Sequence, residues 1–322
     1  MLVIFLCSLV TISYMFLFYS LSKRGGKSSI FLLGCVFTIS SVLLLTYVYK
    51  NGVAFSFHAS TQTNTMITTS EVPQPFSIYK DGYLVDSFPQ YKDAVSFAKS
   101  IDGGEVHYQD AGIVWNDIDE MPSNILLDIP VINQLPELPR GCEVTSLAML
   151  LHFSGEDVNK IDLAKQVKKD ETPYEVVDGV IYFGNPYTGF VGDMYNIKKP
   201  GYGVYHGPIR ELAEVYKPDR VVDMTGADFQ DILFPLLQGD PVWVITNTRY
   251  KKLPDSSFQT WQTPTGPLNI TYHEHSVVLT GYDKDYIYFN DPLDGVKNKK
   301  SSIQHFEQAW IQMGQQAITI VE

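Results

Sequence analysis

One thiol stands where the local sequence equips it for nucleophilic chemistry. Cys142 lies at the point where LPRG gives way to the apolar-periodic stretch EVTSLAMLL. A helix starting there aims its partial positive charge at sulfur, which favours the thiolate, the nucleophilic form. The ordinary alternative is a buried structural cysteine. A thiol nucleophile needs a base, and the base needs an orienting partner. Of the seven histidines, His58 falls in a polar stretch, His107 in a small N-terminal module, and His152 ten residues further along the helix of Cys142. That leaves His206, His273, His275 and His305.

His275 opens HSVVLTGYD, a continuous apolar run of the kind a buried central strand shows, and DYIYFNDP follows after a turn near Asp283 to Asp285. Antiparallel pairing about that turn sets His275 opposite a residue between 291 and 295. Asp291 is then directly or diagonally across from the imidazole. Asp294 competes as orienter, but Asp294-Gly295 reads as a turn pair. His273 and His275 share one strand face, and such a pair can bind zinc. With no further ligand cluster in view, neither a metal nor another cofactor is expected.

The elements that must position these residues follow from periodicity. Val144, Leu147, Leu150 and Leu151 fall on one helical face over about 143–153, ended by Gly155. IDLAKQVKK, GPIRELAEVY and FQDILFPLLQG are further helix candidates, the last with Pro235 inside it. The strands cluster late, in PVWVITNT, HSVVLTGYD, DYIYFND and AITIV. Helices first and strands afterwards predict an α+β domain over 124–322. Residues 170 to 208, rich in Gly, Pro and Tyr, read as a long surface loop. Upstream, FSIYKDGYLVDSF with its Asp81-Gly82 turn, then YKDAVSFAKSI and EVHYQDAGIVW, predict a ββαββ module over 76–118. It carries no reactive constellation and reads as an accessory or packing module.

The chain is 322 residues long with a net charge of −12, yet its first fifty residues contain no Asp or Glu. Those fifty hold four of the 24 basic residues, leaving 20 basic against 36 acidic, or −16, for the remainder. A nucleic-acid partner is not expected, because phosphates need a basic face. Residues 1–21 and about 29–49 are uncharged, and each is long enough as a helix to match a bilayer core of roughly 30 Å. Lys23, Arg24 and Lys27 between them predict a cytoplasmic loop. The expectation is a two-pass cell-membrane protein with its catalytic domain on the extracellular side and a polar tether over 51–75. A cleaved signal peptide is the alternative. Cys7 and Cys35 fall in the apolar stretches, so Cys142 has no intrachain disulfide partner beyond them.

The order IPVINQLPELPRGCEVTSLAMLL, HSVVLTGY and NDP resembles the papain-like cysteine peptidases of family thirty-nine, whose known members trim bacteriocin leaders, and especially their stand-alone, membrane-anchored "peptidase-like" bacterial branch. The match runs over roughly 125 to 321. The resemblance implies a papain-like cysteine peptidase fold, with Cys142 as nucleophile, His275 as general base and acid, and Asp291 as orienter. It also implies Gln134, eight residues before the Cys, as a side-chain donor of the oxyanion hole beside the Cys142 backbone amide. Tyr202, Gly203 and Tyr205 fall in a loop resembling that branch's Gly- and aromatic-rich loops, where they would face substrate. Glu143 stands where the leader peptidases carry Gly, and no transporter ATPase segment is present, so leader processing coupled to export is not expected. The expected activity is thiol hydrolysis of a peptide or isopeptide bond in a peptide or protein substrate at the cell surface. A non-catalytic binding or scaffold protein of the same fold, or an acyl transferase, is the alternative.

Overall fold

The computed structural model describes residues 74–118 and 121–322. The first of these segments is a four-stranded antiparallel sheet crossed by one helix: β1 (Phe76–Lys80), β2 (Tyr83–Phe88), α1 (Tyr91–Ala98), β3 (Glu105–Tyr108) and β4 (Ile113–Asn116), in the order β2-β1-β3-β4. The β1–β2 turn places both Asp81 and Gly82 at positive φ, the conformation that a two-residue type I′ connection demands. Tyr91, Ala94, Val95 and Ala98 form the buried face of α1. These residues share one apolar core with Val222, Phe229 and Leu233 of the following domain. The Tyr108 hydroxyl donates to the Val221 carbonyl at 2.9 Å, and Trp115 Nε1–H donates to Asp231 Oδ1 at 3.1 Å.

The second segment is built on a seven-stranded sheet in which every pair is antiparallel. Its order is β10 (Val221–Asp223), β17 (Ala317–Ile320), β11 (Val242–Asn247), β14 (Glu274–Tyr282), β15 (Tyr286–Asp291) and β16 (Val296–Ser302), with β5 (Ile125–Leu126) pairing the end of β14. Both faces are covered, so β11 is buried at all six positions and β14 from His275 onward. Helix α2 (Cys142–Phe153) packs across β14 and β11. Its first ten residues are all buried, as in a helix enclosed on every side. Each fully buried leucine there, Leu147 and Leu151 among them, stabilises the fold by roughly 1.5–3 kcal/mol relative to exposure. α3 (Lys160–Gln166) and α4 (His206–Tyr216) flank α2.

Three segments depart from the sequence reading. FQDILFPLLQG does not make one helix: a 3-10 turn at Asp231–Leu233 gives way to α5 (Phe234–Gln238), and Pro235 sits in its first turn, where a missing N–H costs no intrahelical bond. The 170–208 stretch contains β7 (Glu175–Val177), β8 (Val180–Tyr182) and β9 (Phe190–Val191), and β8 pairs with β12 (Gln259–Thr263), which pairs with β13 (Gly266–Ile270). β7 and β8 pair across the Asp178-Gly179 turn, whereas β8 meets β12 far along the chain and β9 meets β6 (Lys169–Asp170), and strands of two or three residues are too short to show a period. β16, VKNKKSS, is a polar edge strand and lacks the apolar alternation that marks a strand.

The α+β architecture is as the order of elements predicts. The two transmembrane helices, and with them the two-pass membrane placement with an extracellular catalytic domain, are corrected: among the described residues no helix is long and apolar enough to cross a membrane. The longest, α2 with 12 residues, extends only about 18 Å. Residues 1–50, on which those helices were placed, lie outside the described residues, as does most of the 51–75 tether.

Candidate active site

Cys142 is the first residue of α2, and His275 is the second residue of β14, the strand on which α2 lies. Asp291 ends β15. Val278 pairs with Asn290, so Asp291 lies opposite residue 277, and His275 shares that face two residues along. This diagonal brings His275 Nε2 to 2.8 Å from Asp291 Oδ1, with both side chains buried. A carboxylate only accepts, so Nε2 carries the proton there and the neutral ring keeps its lone pair on Nδ1. Cys142, His275 and Gln134 line one cavity of about 270 Å³, together with Tyr202, Tyr272 and Glu274. Clefts of about 480 and 530 Å³ elsewhere on the surface do not border Cys142.

Asp291 is engaged on both oxygens. Oδ1 also accepts from the Leu293 backbone N–H at 3.0 Å, while Oδ2 accepts from Lys299 Nζ at 2.7 Å and from the Tyr250 hydroxyl. Burial alone would raise this carboxyl, but its bonds and charge interactions with His275, with Lys299 and Tyr250 adding to them, hold it well below the ordinary carboxylate range. Asp294 is paired with Lys299 at 2.6 Å instead of with the imidazole. His273 lies in the turn before β14 and not on the strand face with His275; its Nδ1 is 3.1 Å from Thr248 Oγ1 while His275 is committed to Asp291, so the two histidines have separate partners.

The sulfur itself is not poised as a thiolate. Burial, then the carboxyls of Glu143 and Glu274, push the Cys142 thiol well above its ordinary value, with the Ser276 backbone N–H pulling the other way. Its Sγ–H donates to Glu143 Oε2 at 3.3 Å. Glu143 is fully buried, its Oε1 accepts from the Val204 backbone N–H at 2.7 Å, and burial raises its carboxyl to about 7. Glu274 is raised well above the ordinary carboxylate value by burial and then by Glu143, and its Oε1 has no hydrogen-bond partner. Burial and these two carboxyls thus oppose, at the sulfur, the field of the α2 N-terminus.

Gln134 is buried at the rim, where its backbone N–H donates to the Pro292 carbonyl at 2.7 Å and ties its loop to the one following Asp291. Its side-chain Nε2 donates to the carbonyls of Leu138 at 3.1 Å and Pro139 at 3.2 Å, and its Oε1 has no partner. Tyr202 lines the cavity, its hydroxyl 2.8 Å from that of Tyr205. Tyr205 is buried at the N-cap of α4, and Gly203 backs onto the carboxyls, so neither is among the cavity's lining residues.

Four residues at the site escaped the reading of sequence. Lys299 and Tyr250 hold Asp291. A hairpin centred on Asp294-Gly295 would have brought the basic run 297–300 back toward Asp291, which is how β16 delivers it. Nothing local marks Tyr250 in the loop after β11. Glu143 stood out only as a departure from a motif, and Glu274 only as a neighbour of His275.

A helix-borne thiol facing a sheet-borne imidazole–carboxylate pair is the arrangement of papain-like cysteine peptidases. The chain belongs to the Peptidase_C39 like family, whose profile matches residues 126–318. It is 49% identical over 196 residues to the uncharacterized protein YvpB of Bacillus subtilis (strain 168), covering 60% of this chain and 75% of that one. A crystal structure from Bacillus anthracis, described as a candidate C39-like peptidase, superposes with a TM-score of 0.58 at 46% identity, covering 62% of this chain and 98% of that one.

Proposed function

We propose that the protein is a thiol peptidase acting on a peptide or isopeptide carbonyl. The observation that carries this reading is the 2.8 Å His275–Asp291 bond bordering the same cavity as Cys142. In the proposed reaction Sγ attacks the carbonyl carbon as its proton passes to His275 Nδ1, giving a tetrahedral oxyanion. As the first residue of α2, Cys142 has a backbone N–H without an intrahelical acceptor, and that N–H is the primary oxyanion donor. Gln134 assists by exchanging one of its two carbonyl partners for the oxyanion. His275 then protonates the leaving amine, the C–N bond breaks, and a thioester to Cys142 is left. Water, deprotonated by the same imidazole, releases the acid and restores the thiol. Asp291 fixes the ring's tautomer and offsets the imidazolium charge throughout.

The test is hydrolysis of a mixed peptide library by residues 74–322, analysed by mass spectrometry, against Cys142→Ala and His275→Ala. Cleavage that disappears in both variants is expected. Cleavage surviving Cys142→Ala, or no cleavage by the parent alongside retained peptide, overturns the reading; the second result favours a binding protein of the same fold.

A further inference from the structure

We infer that Glu143, the residue following the nucleophile, restrains Cys142 as a resting thiol, holding the Sγ proton until substrate enters, with Glu274 as the second carboxyl of the restraint. The inference rests on the peptidase reading for its biological sense, and on three observations for its chemistry. First, the thiol proton has a defined acceptor other than the imidazole: Sγ lies 3.3 Å from Glu143 Oε2. Second, that carboxyl is fixed in place. Oε1 accepts from the Val204 N–H at 2.7 Å, and the Glu143 carbonyl accepts from Trp243 Nε1–H at 3.0 Å, so the first turn of α2 is pinned to both the loop before α4 and strand β11. Third, space has been made for the carboxyls. A Cβ on Gly203 would lie 2.3 Å from Glu143 Oε1 and 2.9 Å from Glu274 Oε2, so only glycine leaves room for both.

The sulfur and these carboxyl oxygens lie within 4.8 Å of one another. Negative charge at that range opposes a second negative charge on sulfur, the more so away from water. The surroundings offer little to cancel it. Tyr202 and Tyr205 are buried phenols raised by burial, Tyr250 is committed to Asp291, and Arg140 spends its guanidinium on the carbonyls of Asp193, Asn196, Ile197 and Lys199 at 2.9–3.0 Å. His275 is the one group on β14 that can take the proton and leave a compensating positive charge. A substrate that excludes water from the cavity and disrupts the Sγ–Glu143 bond would pass the proton to it.

The readout is alkylation of Cys142 by iodoacetamide across pH, which needs a thiolate but no turnover: the S–C bond forms, iodide leaves and the thiol proton goes to solvent. Glu143→Gln keeps an oxygen for the Val204 N–H while removing the charge. Its alkylation at neutral pH is expected to be at least threefold faster than the parent's, with the pH midpoint displaced downward. Glu274→Gln, which leaves the Sγ bond intact, is expected to shift the profile the same way by less. A midpoint unchanged or raised in Glu143→Gln overturns the inference, and if that variant does not fold, an unchanged midpoint in Glu274→Gln does so. The peptidase reading fails by a different result, hydrolysis that survives Cys142→Ala.

Discussion

Asp291 stands between His275 and Lys299, one oxygen 2.8 Å from the imidazole and the other 2.7 Å from the ammonium. The carboxylate is thereby kept charged in a buried position, and it holds the neutral imidazole in the tautomer whose Nδ1 lone pair is free. Asp291→Asn places an amide against Nε2 that can donate as well as accept, so the tautomer is no longer enforced. Peptide hydrolysis by that variant is expected to fall at least tenfold, more than 1.4 kcal/mol of barrier, with the fold retained by circular dichroism.

Lys299→Met leaves His275 in place but removes one of the charges that hold Asp291 down. The expected cost is about 1–2 kcal/mol of unfolding free energy at neutral pH. A carboxyl lowered on folding contributes stability that is present above its unfolded value and is lost as pH falls through its folded one. The deficit of the variant relative to the parent is therefore expected to be largest above about pH 4 and to shrink in stronger acid. Urea denaturation at a series of pH values measures it.

Gly203→Ala tests the room left for the carboxyls. The added methyl meets Glu143 Oε1 at 2.3 Å, and Glu143 cannot retreat while it is bonded to Val204 N–H and Cys142. Overpacking of this kind costs typically about 1–3 kcal/mol. A lowered denaturation midpoint together with an altered Cys142 alkylation rate is the expected pair of results.

The architecture around the site was legible where a residue's neighbours are local or are fixed by a short turn. The helix begun at Cys142 follows from its apolar spacing, and the proximity of His275 to Asp291 follows from the two strands joined through Asp283–Asp285. What was not legible depends on chain segments that meet without a local pattern. Tyr250 reaches Asp291 from 41 residues away, and Val204 reaches Glu143 from 61. The thiol's environment was legible only in part: the helix terminus and Glu143 adjoin Cys142 in sequence, whereas the burial that sets the strength of their fields and the arrival of Glu274 on β14 come from tertiary packing.

Arg140 makes four hydrogen bonds of 2.9–3.0 Å to the carbonyls of residues 193–199, whose Ile197 borders the cavity. A planar guanidinium can serve several carbonyls at once, and lysine cannot match its geometry. Arg140→Lys is expected to loosen this cavity wall and raise KM severalfold with little change in kcat, since Cys142, His275 and Asp291 keep their own partners. Steady-state kinetics on a cleaved peptide separates the two parameters.

The buried carboxyl of Glu143 makes stability depend on pH in the opposite sense to Asp291. Burial raises it from 4.5 to about 7, so the folded state holds this proton more tightly than the unfolded chain. Stability from this group is fully present below about 4.5 and is lost as pH rises through about 7. A shift of that size corresponds to roughly 3 kcal/mol between the two limits. Asp240, raised by burial to about 6, adds to the same trend. Glu143→Gln cannot ionise, so its unfolding free energy is expected to fall less than the parent's between pH 4.5 and 8, with the two curves diverging as pH rises. Parallel curves would mean that Glu143 titrates alike in both states, which its full burial and its bonds to Cys142 and Val204 argue against.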